Sequence, residues 1–192
     1  VKCYQAHPNI LIDMSIENFG ADSIYLAQAF VISVSSSNDS TGGGLYLGSN
    51  PENCHVYLNT SSIVSYGAQR VYDGFSVNRD DSIHLCYDGS IYDVESKRSV
   101  VFGFLDATKW WSSIEVGYAE KDKTAQGAEQ GIDCWSAFHD CENYECAPNT
   151  EIDFSPFYLN FIDEATSSYQ TYVEMIAQRM DLEIQGVVSS TW

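Results

Sequence analysis

The feature that most constrains this chain is a series of short, alternating apolar segments broken by turn residues. Ile10, Ile12, Met14 and Ile16 fall on one face of an extended segment, and Asp13, Ser15 and Glu17 fall between them. A period of two marks a strand with one buried face. Residues 24–34 form a longer and more apolar segment, as expected of a central strand. Further strands are expected at 54–58, 62–66, 70–77, 82–87, 90–94, 99–105 and 110–118. Asp88-Gly89 lies between two alternating segments and predicts a type I′ hairpin over 83–94. Residues 35–44 read as a loop, because a Ser-rich run and three consecutive glycines disfavour both helix and strand. Those glycines lack the Lys-Ser/Thr pair of a phosphate loop.

After Pro156 the period changes. Phe157, Phe161, Ala165, Tyr169, Tyr172, Val173, Ile176 and Met180 follow steps of three and four, an apolar stripe on one helical face. Ser155-Pro156 supplies a capping residue followed by proline, so a helix is predicted over 156–180. A last strand is expected at 182–188. The predicted fold is mainly β: a β-sandwich-like body with one C-terminal amphipathic helix, stabilised by disulfides. It forms a single domain over 1–192, with the β body at 1–118, a polar linker and cysteine cluster at 119–149, and the helix and last strand at 150–192. A chain of this length can bury a sizeable core.

Six cysteines are present, and Cys134, Cys141 and Cys146 fall within thirteen residues of one another. With the dispersed Cys3, Cys54 and Cys86 they make an even set, which predicts full pairing and an oxidising compartment. Connectivity stays open. Zinc is the alternative, since Cys134, His139, Cys141 and Cys146 are all ligand types, but the paired C-x-x-C spacing of structural zinc sites is absent. Two N-glycosylation acceptors, at Asn38 and Asn59, agree with secretion. The start at Val1-Lys2-Cys3 reads as a mature N-terminus, and no apolar run approaches the roughly 18 residues of a membrane span. Lys97-Arg98 is the chain's one adjacent basic pair and a candidate processing site.

Net charge is −18, from nine basic and 27 acidic residues. A nucleic-acid backbone or an anionic membrane surface would be repelled. Thirteen tyrosines and four tryptophans suit recognition of sugars, whose rings have apolar faces and hydroxyl rims. Trp110 and Trp111 are adjacent on a predicted strand, so one faces the core and the other faces outward. Trp111, Tyr87 and Tyr92 are the candidate contact residues, with Asp88 as polar anchor. A solvated acidic surface or a calcium site could explain Asp80-Asp81 and the acids around the cysteine cluster, although no calcium-loop spacing is present. For catalysis, His139 beside Asp140 is the candidate pair, with His7, His55 and His84 as further bases. No nucleophile-elbow or H-E-x-x-H motif occurs.

Three short stretches resemble thaumatin-like secreted proteins. Met14-Ser15-Ile16-Glu17-Asn18 with Ile24-Tyr25-Leu26 resembles that family's opening strand pair. Gly74-Phe75-Ser76-Val77-Asn78 with Asp81-Ser82 resembles its G-F-x-L-x-x-G-x-S stretch, and Phe102-Gly103-Phe104 with Trp110-Trp111-Ser112-Ser113-Ile114 resembles its F-E-Y … Y-D-x-S segment. The likeness covers residues 10–118. Gly103 and Ser112 stand where the family carries its acidic cleft, so it implies a β-sandwich and glycan contact without glucan hydrolysis. The sequence thus leads to a secreted, glycosylated binding protein, lectin-like, effector-like or toxin-like, that needs no cofactor and acts on a glycan or a cell-surface protein. The competing expectation is a small secreted hydrolase. Oligomeric state is open.

Overall fold

The computed structural model describes residues 2–3, 9–35, 47, 54–62, 65–72, 84–106, 110–118, 132–162 and 165–181. These residues are mainly β, with one helix. The first strands are β1 (Lys2–Cys3), β2 (Asn9–Ile12), β3 (Ser15–Glu17), β4 (Ile24–Ser35), β5 (Cys54–Ser62) and β6 (Ser65–Tyr72). They are followed by β7 (His84–Cys86), β8 (Asp88–Asp93), β9 (Ser99–Phe104) and β10 (Trp111–Tyr118). The last are β11 (Ile132–Cys146), β12 (Glu151–Asp153) and β13 (Phe157–Ile162), before helix α1 (Ala165–Arg179).

Three antiparallel sheets result. One has seven strands in the order β1-β2-β13-β9-β8-β5-β6, one has four in the order β4-β11-β10-β7, and β12 pairs with β3 in a small third sheet. The two large sheets pack face to face. Ile91, Val100, Phe102, Phe157 and Leu159 of the first meet Ile114, Val116, Trp135 and Ala137 of the second in one buried cluster. Trp135 reaches across and meets Phe102 edge-on, with ring centres 5.4 Å apart. Each such large side chain contributes about 1.5–3 kcal/mol by leaving water.

β9 is buried along its whole length. Phe102 and Phe104 face the other sheet, while Val101 and Leu105 pack with Tyr158 and Tyr172 on the opposite side. Burial on both faces explains why 100–102 is continuously apolar instead of alternating. Helix α1 supplies the cover: Tyr172 donates its hydroxyl to the Phe104 carbonyl at 2.7 Å and lies 5.5 Å from the Tyr158 ring.

Four expectations are corrected. Asp88-Gly89 is no hairpin turn: both residues lie inside β8, where Asp88 stands opposite Gly103 and Gly89 opposite Phe102. The chain passes at Tyr87 from β7 in one sheet to β8 in the other. The cysteine cluster, expected with a polar linker at 119–149, lies on a strand: residues 132–146 form the longest strand among the described residues and pair with both β10 and β4. Residues 157–162 are strand, not the start of a helix, and pair with both β2 and β9. Proline is tolerated just before a strand, where its missing N–H takes no ladder bond. Finally, among the described residues β4 lies at the edge of its sheet, although its composition reads as central. The strand expected at 182–188 lies outside the described residues.

Candidate functional site

Strand alternation sends the two tryptophans to opposite faces. Trp110, just before β10, is buried; its indole N–H donates to the Asp153 carbonyl at 3.0 Å, and its ring stacks on Phe154. Trp111 points away and is 58% exposed. Register then fixes its neighbours. Trp111 stands opposite Asp140 on β11, and Asp140 stands opposite Gln28 on β4. Directly paired residues share a face, and strands lie about 4.8 Å apart. One row across the sheet therefore carries an indole, a carboxylate and a carboxamide. The next row carries Ser113, Phe138 and Phe30. The Phe30 and Phe138 rings lie 5.4 Å apart, with Phe138 buried and Phe30 exposed. Glu115, Ser136 and Ser33 form a third row, in which the two serine hydroxyls lie 3.3 Å apart. Trp111, Gln28, Phe30 and Ser33 are the exposed residues of these rows, Asp140 and Glu115 are half-buried, and Ser113, Phe138 and Ser136 are buried.

The other predicted contact residues are not brought here. Asp88 and Tyr92 belong to β8 in the seven-stranded sheet and are half-buried. Asp88 lies against Gly103 beneath Tyr172, on the helix-bearing face. Tyr87 is half-buried at the crossing between sheets, where its carbonyl accepts from the Phe104 N–H at 3.4 Å. Asp140, predicted as a catalytic partner, is instead the carboxylate beside Trp111. Gln28 and Phe30 carry no signal of their own in the sequence, because the register that brings them near Trp111 depends on a strand more than a hundred residues away.

His139 and Asp140 do not act as a pair, since consecutive strand residues point to opposite faces. His139 faces inward with 0% exposure. It stands opposite Ser112, and its Nδ1 lies 2.8 Å from the Ser112 hydroxyl. Phe104 and Phe154 flank the ring at 4.7 and 5.0 Å, and Nε2 has no hydrogen-bond partner among the described residues. Burial pushes the imidazole down from its ordinary 6.5 to about 4; the nearby Ser155 carbonyl and the Asp106 charge oppose that shift only in part. Asp106 is held by the Ser155 hydroxyl and by Arg179 at 2.9 Å. Neither Ser112 nor His139 reaches solvent, so this serine–histidine pair is a core polar contact and not an accessible acid, base or nucleophile.

Gly103 and Ser112, which replace acidic positions in the thaumatin-like pattern, both have packing roles. A Cβ at Gly103 would collide with the Tyr172 hydroxyl and would come within 2.6 Å of its ring carbon. Ser112 is the partner of His139.

Cys141 and Cys146 are buried free thiols, contrary to the expected complete pairing. They share an apolar cluster with Trp110, Ile152 and Phe154. Burial pushes the Cys141 thiol up, and the charge of Asp140 adds to the shift. The side chains of Cys3, Cys54, Cys86 and Cys134 lie outside those described. No group of three metal-ligating side chains converges among the described residues. Asn59 lies within β5, opposite Gln69 and Asp88, rather than in a loop, and Asn38 lies outside the described residues. Lys97 and Arg98 are exposed at the β8–β9 turn. Asp93 closes that turn, with its carboxylate accepting from the N–H groups of Glu95 and Ser96. Among the described residues, no helix is long and apolar enough to cross a membrane. No protein-family model and no curated protein matches the chain.

Proposed function

We propose that this protein is an extracellular carbohydrate-binding protein whose contact surface is the outer face of β4, β11 and β10. The observation that carries this reading is the row Trp111–Asp140–Gln28, in which an exposed indole lies beside a carboxylate and a carboxamide. A pyranose can stack on the indole while its hydroxyl rim donates to Asp140 and bonds Gln28. The likeness to thaumatin-like proteins points the same way, toward glycan contact without hydrolysis. The net charge of −18 favours neutral or cationic saccharides over sulfated ones.

Secretion belongs to the same proposal and rests on the sequons and the cysteine count. Two buried thiols are compatible with it, because a thiol sheltered from solvent and with a raised pKa reacts slowly. Cys3, Cys54, Cys86 and Cys134 remain the candidates for bridges.

The test is a screen on immobilised neutral glycans, followed by titration of tryptophan fluorescence with each hit. Trp111→Ala should lose about tenfold in affinity, near 1.4 kcal/mol, while keeping the wild-type melting temperature. Asp140→Asn should lose less. A folded Trp111→Ala protein that binds every hit as tightly as wild type would refute the assignment.

A further inference from the structure

The charges of this molecule are divided between its two large sheets. Among the described residues, every lysine and arginine belongs to the seven-stranded sheet or to the helix over it: Lys2 in β1, Arg70 in β6, Lys97 and Arg98 at the β8–β9 turn, and Arg179 in α1. The four-stranded sheet carries Glu115, Asp133, Asp140, Glu142 and Glu145, and its strands contain no lysine or arginine. A ligand that approaches this sheet meets carboxylates with no basic side chain of the same sheet to offset them.

One of those carboxylates is set apart by its surroundings. Asp140 stands directly opposite Trp111, which places the two Cβ atoms about 5 Å apart. Its Oδ1 accepts from the Glu142 N–H at 3.0 Å, which ties the carboxylate to its own strand. Among the described residues it takes no other hydrogen bond and no ion pair. Trp111 is 58% exposed and Asp140 is half-buried, so a partly desolvated carboxylate lies beside an accessible indole. A carboxylate drawn from water without a cationic partner is costly, and a bound cation offsets that cost.

We propose that the Trp111–Asp140–Gln28 row selects sugars that carry a free ammonium group, the units of a deacetylated amino-sugar polymer, over neutral and N-acetylated ones. This inference rests on the glycan reading above and adds the ligand class to it. An amino sugar stacked on the indole brings its ammonium within reach of Asp140, for a charge-assisted hydrogen bond, and close to the ring, for a cation–π attraction. The Gln28 carboxamide both donates and accepts, which suits the neighbouring hydroxyls. N-acetylation removes the charge and leaves one neutral N–H for a carboxylate that only accepts. A uronic acid or a sulfated sugar is repelled by Asp140 and Glu142. A lysine side chain carries the same ammonium but no hydroxyls for Gln28, so it satisfies part of the row where the amino sugar satisfies all of it.

Calorimetric titration of the whole chain with oligomers of glucosamine and of N-acetylglucosamine, matched in length, tests the selection. Mildly acidic pH keeps the sugar ammonium charged, and about 0.15 M salt screens diffuse attraction between a polycation and an acidic protein. Wild type should bind the glucosamine oligomer roughly tenfold more tightly than the acetylated one. Asp140→Asn, which keeps an acceptor for the Glu142 N–H, should bind the two alike. Glu151→Gln, which removes an equal exposed charge from the small third sheet, should keep the wild-type preference. Failure to bind the glucosamine oligomer, equal affinity for the two oligomers, or a preference that survives Asp140→Asn or disappears in Glu151→Gln overturns the proposal. Binding of oligolysine with the same dependence on Trp111 and Asp140 also overturns it, since the ligand would then be a basic peptide. If wild type binds both sugars alike and Trp111→Ala weakens both, the glycan reading stands and the selection falls. If Trp111→Ala leaves every affinity unchanged, both fall.

Discussion

The two outer faces of the packed sheets are built by the same strand alternation and end differently. On the seven-stranded sheet, Val101, Leu105 and Tyr158 are buried because Tyr172, Met175 and Ile176 of α1 lie over them. Tyr158 is enclosed so fully that burial pushes its phenol up to about 12, and its hydroxyl donates to the Asn9 side chain at 3.2 Å. On the four-stranded sheet, Trp111 and Phe30 remain open. An aromatic residue facing outward from a strand is therefore buried or exposed according to what packs over it. The closed face contributes stability; the other leaves the Trp111 and Phe30 rings exposed.

The contrast can be broken most directly by truncating one aromatic from each face. Tyr172→Ala should cost about 3–5 kcal/mol in denaturant unfolding, because it removes a buried ring and leaves a cavity. Trp111→Ala should change stability by less than about 0.5 kcal/mol. Equal losses at the two sites would show that the four-stranded sheet is covered after all.

A second expectation concerns acid. The folded pKa of His139, about 4, lies below its ordinary 6.5. The unfolded chain therefore binds the proton more readily, and stability falls as pH drops from about 6.5 toward about 4. The loss across that window should be roughly 2–3 kcal/mol. Urea titrations at both ends of the window measure it, and the His139-specific part should vanish in His139→Gln. Arg179 should matter little to this slope, because it reaches the imidazole only through Asp106. A mutant that keeps the full acid slope would place its origin elsewhere.

The close approach beneath α1 gives a smaller effect. Gly103→Ala should cost about 1–3 kcal/mol, since Tyr172 must move and its bond to the Phe104 carbonyl loosens. Trp111-dependent glycan binding should persist in the folded fraction. The smallest effect is expected at a turn that belongs to neither face. Lys97 has φ 61°, a conformation that favours glycine. Lys97→Gly should raise stability by up to about 1 kcal/mol with no change in binding. A destabilised variant would mean that the lysine side chain makes a compensating contact.

Parts of this arrangement are legible in the amino-acid order alone. The alternation around 110–118 is enough to separate Trp110 from Trp111. The helix is half legible. Phe157 and Phe161 are four apart, a spacing that fits one helical turn and also two strand periods, so local pattern does not choose. What chooses is pairing: the backbone of 157–162 bonds β2 on one side and β9 on the other. Asp88-Gly89 misleads for a related reason. The dipeptide favours a tight turn, yet both residues are held within β8 by partners on each side.

The sequence by itself determined a mainly β chain with one helix, the opposite facing of adjacent tryptophans and a strongly acidic charge. These follow from periodicities of two and about 3.6 residues and from composition, which are local and additive. Only the tertiary structure decided that, among the described residues, an apolar twelve-residue strand lies at an edge, that His139 meets Ser112, and that Asp140 and Gln28 stand beside Trp111. Those facts depend on which strand lies beside which and in what register. That choice is made by packing the whole core at once, because a one-residue slip would turn every buried side chain to the wrong face.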